Sequence, residues 1–275
     1  YRKIINLLYR QKKYREAIEV CNKIISRRPS DYSTFNDLAV LHKLIGEEKK
    51  ALGYYEESLQ YFPFSFEVNE KIRELKNLPS PTQYIPETEP AEIIKEYEAA
   101  YSTEVKKPYD SVYEQNALII FKSMSQGNIH RYILKLNDES AIEGWQRLNL
   151  GASENMTITV NEAKTIKKNG NKINAERYGA EVVFTNLEPG DYIYVAYTEK
   201  QVNGGKSSLF ISDTYTFDSY FPVYKLEYHL VVEDGVKFQT TFLNGSIDVQ
   251  VKTLEGFKQH SWTAIRRRSL CHPLE

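Results

Sequence analysis

Cysteine is almost absent from this chain of 275 residues. The two cysteines, Cys21 and Cys271, lie near opposite ends of the sequence. Two are too few for a disulfide-rich scaffold, and they lack the paired spacing typical of a zinc site. The sequence therefore predicts no disulfide framework and no metal centre, and it offers no cofactor motif.

Long apolar runs and an excess of either charge are absent as well. No window approaches the roughly 18 consecutive apolar residues of a membrane-spanning helix. The 36 Lys and Arg residues are balanced by 37 Asp and Glu residues, so the net charge is −1. Nucleic acids are bound through clustered positive charge that displaces counterions, so we expect no nucleic-acid partner and no membrane span. A hydrophobic content of 41% is enough to bury a core, and the length favours about two domains.

Residues 1–77 carry apolar residues at the three- and four-residue spacing of amphipathic helices. The chain also repeats itself at 34 residues, pairing Ala17 with Ala51, Cys21 with Tyr55 and Pro29 with Pro63. Small residues at Ala39, Ala51 and Ser58 would let paired helices approach closely. This pattern resembles the tetratricopeptide repeat (TPR), and residues 66–76 read as a capping helix after two repeats.

Residues 78–110 predict a proline-rich linker between two domains. Four of the ten prolines fall at positions 79, 81, 86 and 90, where they interrupt both helix and sheet. A short helix is expected at 91–101, because proline is favoured at a helix start and Glu92 falls in the first turn.

From residue 111 to 265 the apolar period drops to two, with turn dipeptides such as Asn169-Gly170 and Asp234-Gly235 between the runs. Expected strands include 144–150, 208–217 and 237–243. The predicted fold class is α+β with two segregated domains, N-terminal tetratricopeptide hairpins and a C-terminal antiparallel β-sandwich. Residues 266–275 form a tail whose final Leu-Glu looks like a cloning remnant.

A second resemblance rests on residues 156–232. The segment AEVVFTNLEPGDYIYVAY resembles the core of the domain of unknown function 3857, which precedes transglutaminase-like domains in bacterial proteins; FDSYFPVYKLEYHLVV resembles its next segment. The carrying residues are Phe184, Leu187, Pro189, Gly190, Asp191, Ile193, Tyr197, Phe217, Pro222 and Val223. The resemblance implies the non-catalytic N-terminal part of such a protein, with a catalytic domain downstream. It leaves the compartment open, with a lean toward the cell envelope or periplasm.

The concave face of the helical repeats is the candidate binding surface, for a protein or peptide partner. Arg2, Asn6 and Lys71 fit the pattern by which some repeat arrays clamp a C-terminal carboxylate, but Asp37 and Glu67 place negative charge where that clamp needs an amide and a cation. A groove for a helix or extended peptide is favoured instead. Its expected wall is Ser33, Asn36, Asp37, Val40, Lys43 and Leu44.

The sequence thus predicts a non-catalytic protein-interaction and scaffolding segment, with no catalytic residues assigned. Two alternatives stay open. The 21 tyrosines could make the β region a ligand-binding module for glycan or peptide. A hidden enzyme site would require a strand histidine to meet a carboxylate in a cleft, the candidates being His130, His229 and His260 with Asp138, Asp213 and Asp248.

Overall fold

The computed structural model describes residues 1–100, 107–151, 156–201, 210–217, 223–243 and 245–265. It separates into two compact units. The helical unit comprises Tyr1–Ser80 with Phe121–Gln126 and the described part of Gln201–Ile211. The sheet unit comprises Pro81–Ile120, Gly127–Lys200 and the described part of Ser212–Glu275. The tail 266–275 lies outside the described residues.

Five helices make up most of the helical unit: α1 Arg2–Arg10, α2 Tyr14–Ile25, α3 Tyr32–Leu44, α4 Glu48–Tyr61 and α5 Phe66–Leu75. Side-chain caps fix two of their starts. The Asp31 carboxylate accepts from the backbone N–H of Thr34 at 3.2 Å, and the Ser65 hydroxyl accepts from that of Val68 at 3.3 Å. After α3, Gly46 takes a φ of +80°, which glycine adopts without steric cost.

The core of the helical unit is built by small, branched and aromatic side chains. Ile5, Ala17, Cys21, Ile24, Phe35, Leu38 and Leu41 form one buried cluster across the first three helices. Ala39, Tyr55 and Val68 form a second cluster. Cys21 is fully buried, and burial raises the pKa of its thiol to about 12, with the nearby Asp37 charge adding to the rise. Cys21 is therefore a core residue and not an activated nucleophile.

The sheet unit holds eleven strands within the described residues. They are β1 Tyr109–Ile120, β2 Gln126–Leu136, β3 Arg147–Asn149, β4 Met156–Ile166, β5 Lys172–Asn174, β6 Glu176–Tyr178, β7 Glu181–Val183, β8 Tyr192–Gln201, β9 Val223–Glu233, β10 Val249–Leu254 and β11 Phe257–Ile265. Eight strands form one sheet in the order β10-β11-β9-β1-β2-β8-β4-β5, and three form a small sheet in the order β3-β7-β6.

The predicted antiparallel sandwich is wrong, and with it the fold class. The large sheet is mixed, because its central strands β1 and β9 run parallel, with Ser111 opposite Val223 and Ile120 opposite Val232. Alternation of apolar residues identifies strands but does not determine their direction. More than 100 residues separate the two strands, enough for the crossover that parallel pairing needs. Both strands carry a short apolar run near their ends, ALII in β1 and LVV in β9, which is typical of buried central strands.

Three expected strands also differ locally. In place of a strand over 144–150, helix α7 spans Glu139–Trp145 and only Arg147–Asn149 is extended. The Asp138 carboxylate starts this helix by accepting from the backbone N–H of Ala141 at 3.0 Å. Residues 237–243 and the described residues 210–217 of the expected strand 208–217 form no strand, although both segments carry β-favouring residues.

The proline-rich segment packs on one face of the large sheet. A short 3₁₀ helix covers Pro81–Tyr84, Ile85 is buried, and helix α6 spans Pro90–Ala100. The α6 side chains of Ile93, Ile94 and Tyr97 join a cluster with Val112, Tyr113, Ile133, Ile166, Tyr192, Tyr194, Ala196 and Tyr224. No helix among the described residues is long and apolar enough to cross a membrane.

Candidate functional site

The expected wall of the helical groove lies along one side of α3. Ser33, Asn36, Val40, Lys43 and Leu44 recur at helical spacing, with Asp37 beside them. None of these six residues is fully buried. Val40 is 37% exposed and Leu44 is 45% exposed, so this side combines apolar side chains with polar ones. A surface of this composition suits an amphipathic helix or an extended peptide.

The cations of this groove are already paired with acids of the same unit. Lys43 Nζ lies 2.7 Å from one oxygen of Glu74, and Lys71 Nζ lies 3.3 Å from the other. Hydrogen bonds from Lys43 and then Lys71 lower the pKa of Glu74. Arg2 lies 3.8 Å from Asp31. Of the residues expected to form the carboxylate clamp, Arg2 and Lys71 are therefore engaged in ion pairs, and Asn6 is exposed on α1.

Asp37 lies in the middle of the groove wall and is half-buried. Burial raises its pKa, the Arg2 charge opposes this rise, and the Asp31 charge adds to it. The Asp37 carboxyl therefore lies under the opposing influence of one cation, Arg2, and one anion, Asp31.

In the sheet unit, the structure brings His229 of β9 to a carboxylate. Its Nε2 lies 3.6 Å from Glu227 Oε2, and its Nδ1 lies 2.8 Å from the hydroxyl of Ser261 on β11. On β1, the Gln115 amide donates to Glu227 at 3.0 Å and the Tyr113 hydroxyl donates to it at 2.9 Å. A Ser–His–Glu sequence of contacts therefore runs across the sheet.

Burial pushes the pKa of Glu227 upward, but hydrogen bonds from His229, Tyr113 and Gln115 outweigh it. With the Lys225 charge they hold this pKa at about 2. The pKa of Tyr113 is raised far above its usual value, first by burial and then by the Glu227 charge. Glu227 is consequently an anion at neutral pH, and Tyr113 remains protonated so that it can donate to it.

The proline-rich segment covers this network and bonds to it through the backbone of Pro86. The Pro86 carbonyl accepts from Gln115 at 3.1 Å and from Arg131 at 3.0 Å. His229 is 3% exposed and Gln115 is fully buried. A nucleophilic site needs room for a substrate beside the serine and histidine, whereas this histidine is enclosed by protein. Its geometry suits anchoring of the proline-rich segment to strands β1, β2 and β9.

The opposite face of the sheet carries a second histidine with a carboxylate. His130 of β2 donates from Nδ1 to the Asn116 amide oxygen at 2.5 Å, and its Nε2 lies 3.6 Å from Glu199 of β8. The Asn116 amide donates in turn to Glu114 at 2.7 Å, which fixes its orientation and thereby the tautomer of His130. The side chains of Glu199 and His130 are 22% and 25% exposed, although the Nε2 atom of His130 is itself buried.

Aromatic rings extend this second face toward β11. His130 stacks on Tyr197 with ring centroids 4.6 Å apart, and Tyr215 stacks on Tyr228 at 4.8 Å. Tyr228 contacts Trp262 at 5.8 Å. The hydroxyls of two of these tyrosines contact acids. The Tyr228 hydroxyl donates to Asp213 at 2.6 Å, and the Tyr215 hydroxyl lies 3.4 Å from Glu114. We call Glu114, His130, Tyr197, Glu199, Asp213, Tyr215, Tyr228 and Trp262 the aromatic–acidic face.

The sequence named the three strand histidines but not the acids that meet them. Asp138 caps α7, Asp213 binds Tyr228, and Asp248 is exposed before β10, so none of the three contacts a histidine. The carboxylates that meet the histidines are instead Glu199 on β8 and Glu227 on β9. His260 contacts the rings of Phe238 and Trp262. Within the described residues, no group of three or more His, Cys, Asp or Glu could hold a metal ion.

A shallow groove of about 490 Å³ also lies beside α7, β3 and β7. Its lining is Ile142, Gln146, Arg147, Val183, Phe184, Thr185, Asn186 and Leu187. Arg147 is its one ionisable residue and pairs with Glu181 at 2.7 Å. The groove has no group suited to acid–base or nucleophilic chemistry.

No protein family matches the sequence, and no curated protein is significantly similar to it. Among solved structures, a "putative protease" from Parabacteroides distasonis ATCC 8503 is 15% identical with a TM-score of 0.47; the match covers 60% of this chain and 37% of that one. An M1 zinc metallopeptidase from Deinococcus radiodurans is 12% identical with a TM-score of 0.30, over 59% of this chain and 40% of that one. This chain thus spans about two fifths of these proteins' length, and likenesses this distant carry no argument about function.

Proposed function

We propose that this chain is a non-catalytic protein-interaction segment whose helical unit binds an extended or helical peptide along the exposed side of α3. The observation that carries this proposal is the pair of exposed apolar residues Val40 and Leu44, one helical turn apart, beside the Lys43–Glu74–Lys71 ion pairs. Apolar anchors at i and i+4 bordered by charge are typical of peptide-binding helix faces.

The resemblance of residues 156–232 to the domain of unknown function 3857 extends the proposal. On that reading the chain is the N-terminal, scaffolding part of a bacterial transglutaminase-like protein, and the helices with the 34-residue period belong to the TPR family. The enclosed position of His229 supports the absence of a catalytic centre in the described part of the chain.

The groove is tested with peptides selected on the protein itself. A random 12-residue peptide library displayed on phage would be selected against the wild-type chain, and the recovered peptides titrated by calorimetry. Val40→Asp and Leu44→Asp should each weaken binding by roughly tenfold or more, because each places a charge where about 1.5 kcal/mol of apolar burial is expected.

Leu7→Asp is the matched control. Leu7 is 55% exposed on α1 but does not share the α3 surface. Leu7→Asp should leave the affinity for the selected peptides within about twofold of the wild-type value. Selection of no peptide, or equal affinity of all three variants, would refute the groove.

A second function is favoured by a separate observation, the contacting rings of Tyr215, Tyr228 and Trp262 on the sheet. Aromatic surfaces of this kind bind glycans and peptides. The sheet unit is therefore a candidate ligand-binding module in its own right.

A further inference from the structure

Within the described residues, the three carboxylates of the aromatic–acidic face lack the cationic partners that several other acids of the sheet unit have. Elsewhere in this unit Glu98 pairs with Lys135, Glu162 with Lys164, Glu181 with Arg147, Glu188 with Lys167 and Glu227 with Lys225. Within the described chain, no lysine or arginine lies within ion-pair distance of Glu114, Glu199 or Asp213. Their contacts are with hydroxyls, amides and one imidazole.

The rings beside these acids complete the chemistry of a cation site. A guanidinium or ammonium is attracted to the face of a tyrosine or tryptophan ring, and the attraction strengthens when water is excluded. Tyr215 and Tyr228 are half-buried, and their stacked rings lie between Asp213 and Glu114. Carboxylates and π faces are therefore interleaved along one surface.

An unsatisfied buried donor lies next to these rings. Trp262 is 5% exposed, and its indole N–H has no hydrogen-bond partner among the residues that the structure describes. A buried N–H without an acceptor costs about 1–3 kcal/mol. The carbonyl of a bound peptide is one acceptor that would remove this cost.

We infer that the aromatic–acidic face binds an extended basic peptide, with arginine or lysine side chains placed between the tyrosine rings and the carboxylates of Glu114, Asp213 and Glu199. Charge complementarity selects this occupant, because the face presents three anions without cationic partners in the described chain. Arginine should be preferred to lysine, since its planar group both stacks on rings and bonds carboxylates in pairs. This site is independent of the α3 groove, so either proposal can fail alone.

The test uses defined probes: hexa-arginine, hexalysine, hexaglutamate and maltohexaose, titrated into the full chain by calorimetry at low ionic strength. Hexa-arginine should bind more tightly than hexalysine, and hexaglutamate and maltohexaose should not bind. The double variant Glu114→Gln with Glu199→Gln should weaken hexa-arginine binding at least tenfold.

The matched control is Glu139→Gln with Glu143→Gln, which removes the same charge from exposed positions on α7, away from the face. It should change the affinity less than twofold. Tyr215→Leu tests the ring contribution separately from charge. Tyr215 belongs to no strand, so this substitution spares the sheet pairing, and about a fivefold loss is expected.

Three results would overturn the inference. One is an equal loss for the two double variants, which would indicate attraction by net charge alone. Another is the failure of hexa-arginine to bind the folded wild-type chain. The third is binding of maltohexaose without hexa-arginine, which would assign the face to neutral glycans.

Discussion

Glu227 is a buried carboxylate held by several polar neighbours. Four neighbours hold its pKa near 2 against the effect of burial, whereas an unfolded glutamate titrates near 4.5. A group whose folded pKa is depressed stabilises the fold fully above its unfolded pKa, and this stabilisation is lost as pH falls toward the folded pKa. The sheet unit should therefore lose up to about 3 kcal/mol of unfolding free energy between pH 5 and pH 2 through this residue.

Glu227→Gln should remove most of this pH dependence and destabilise the sheet unit by about 1–3 kcal/mol at neutral pH. Tryptophan fluorescence during urea unfolding measures the stability of the sheet unit selectively, because Trp145 and Trp262 both belong to this unit. Glu143→Gln, at an exposed position, is the control and should change little. A wild-type acid sensitivity retained in Glu227→Gln would show that other groups are responsible.

For single residues, the sequence predicts which face of a helix or strand they lie on better than it predicts which side chains they contact. The face formed by Ser33, Asn36, Val40 and Leu44 follows from helical spacing alone, because neighbours on a helix are set by local geometry. The ion pairs of Lys43 and Lys71 with Glu74 do not follow from spacing, since these contacts depend on how α3 and α5 pack. For the same reason Glu199 and Glu227 were not identified as histidine partners.

Among the secondary structure elements, the end of α3 depends on one backbone conformation. Gly46 has a φ of +80°, and an added Cβ there would meet no atom within 4 Å. Gly46→Ala should therefore destabilise the helical unit by about 1 kcal/mol through backbone strain and not through a clash.

Gly53 offers the opposite case within α4. It lies inside the helix, and its Cβ position is also free of contacts. Gly53→Ala should stabilise the same unit by about 0.5–1 kcal/mol, because alanine loses less entropy in a helix. Thermal unfolding followed by the helical circular-dichroism signal compares the two. Stabilisation by Gly46→Ala would contradict the assigned backbone conformation.

The strands and helices show which features of the fold cannot be predicted from local sequence patterns. Strand character is readable in β2, β8 and β9, because their apolar residues alternate or run continuously, whereas β1 begins at Tyr109, inside the expected linker. The parallel pairing of β1 with β9 is not readable, since direction is set by how the intervening chain crosses the sheet. At 144–150, the Asp138 cap and the favourable helix residues that follow it outweighed the β-like run, and the strand shrank to three residues.

For the molecule as a whole, the account holds that the chain binds other molecules and does not transform them. Incubation with an acyl donor and an amine, or with peptide and ester substrates, should leave both unchanged. Turnover that Ser261→Ala or His229→Gln abolishes without loss of folding would identify the buried network as catalytic.

The central claim is tested most directly by hydrogen exchange of the full chain with and without a peptide selected on it. The account predicts slower amide exchange in α3, unchanged exchange in the small sheet of β3, β6 and β7, and recovery of the peptide at its original mass. Protection confined to the sheet unit, or a peptide recovered cleaved or modified, would contradict it.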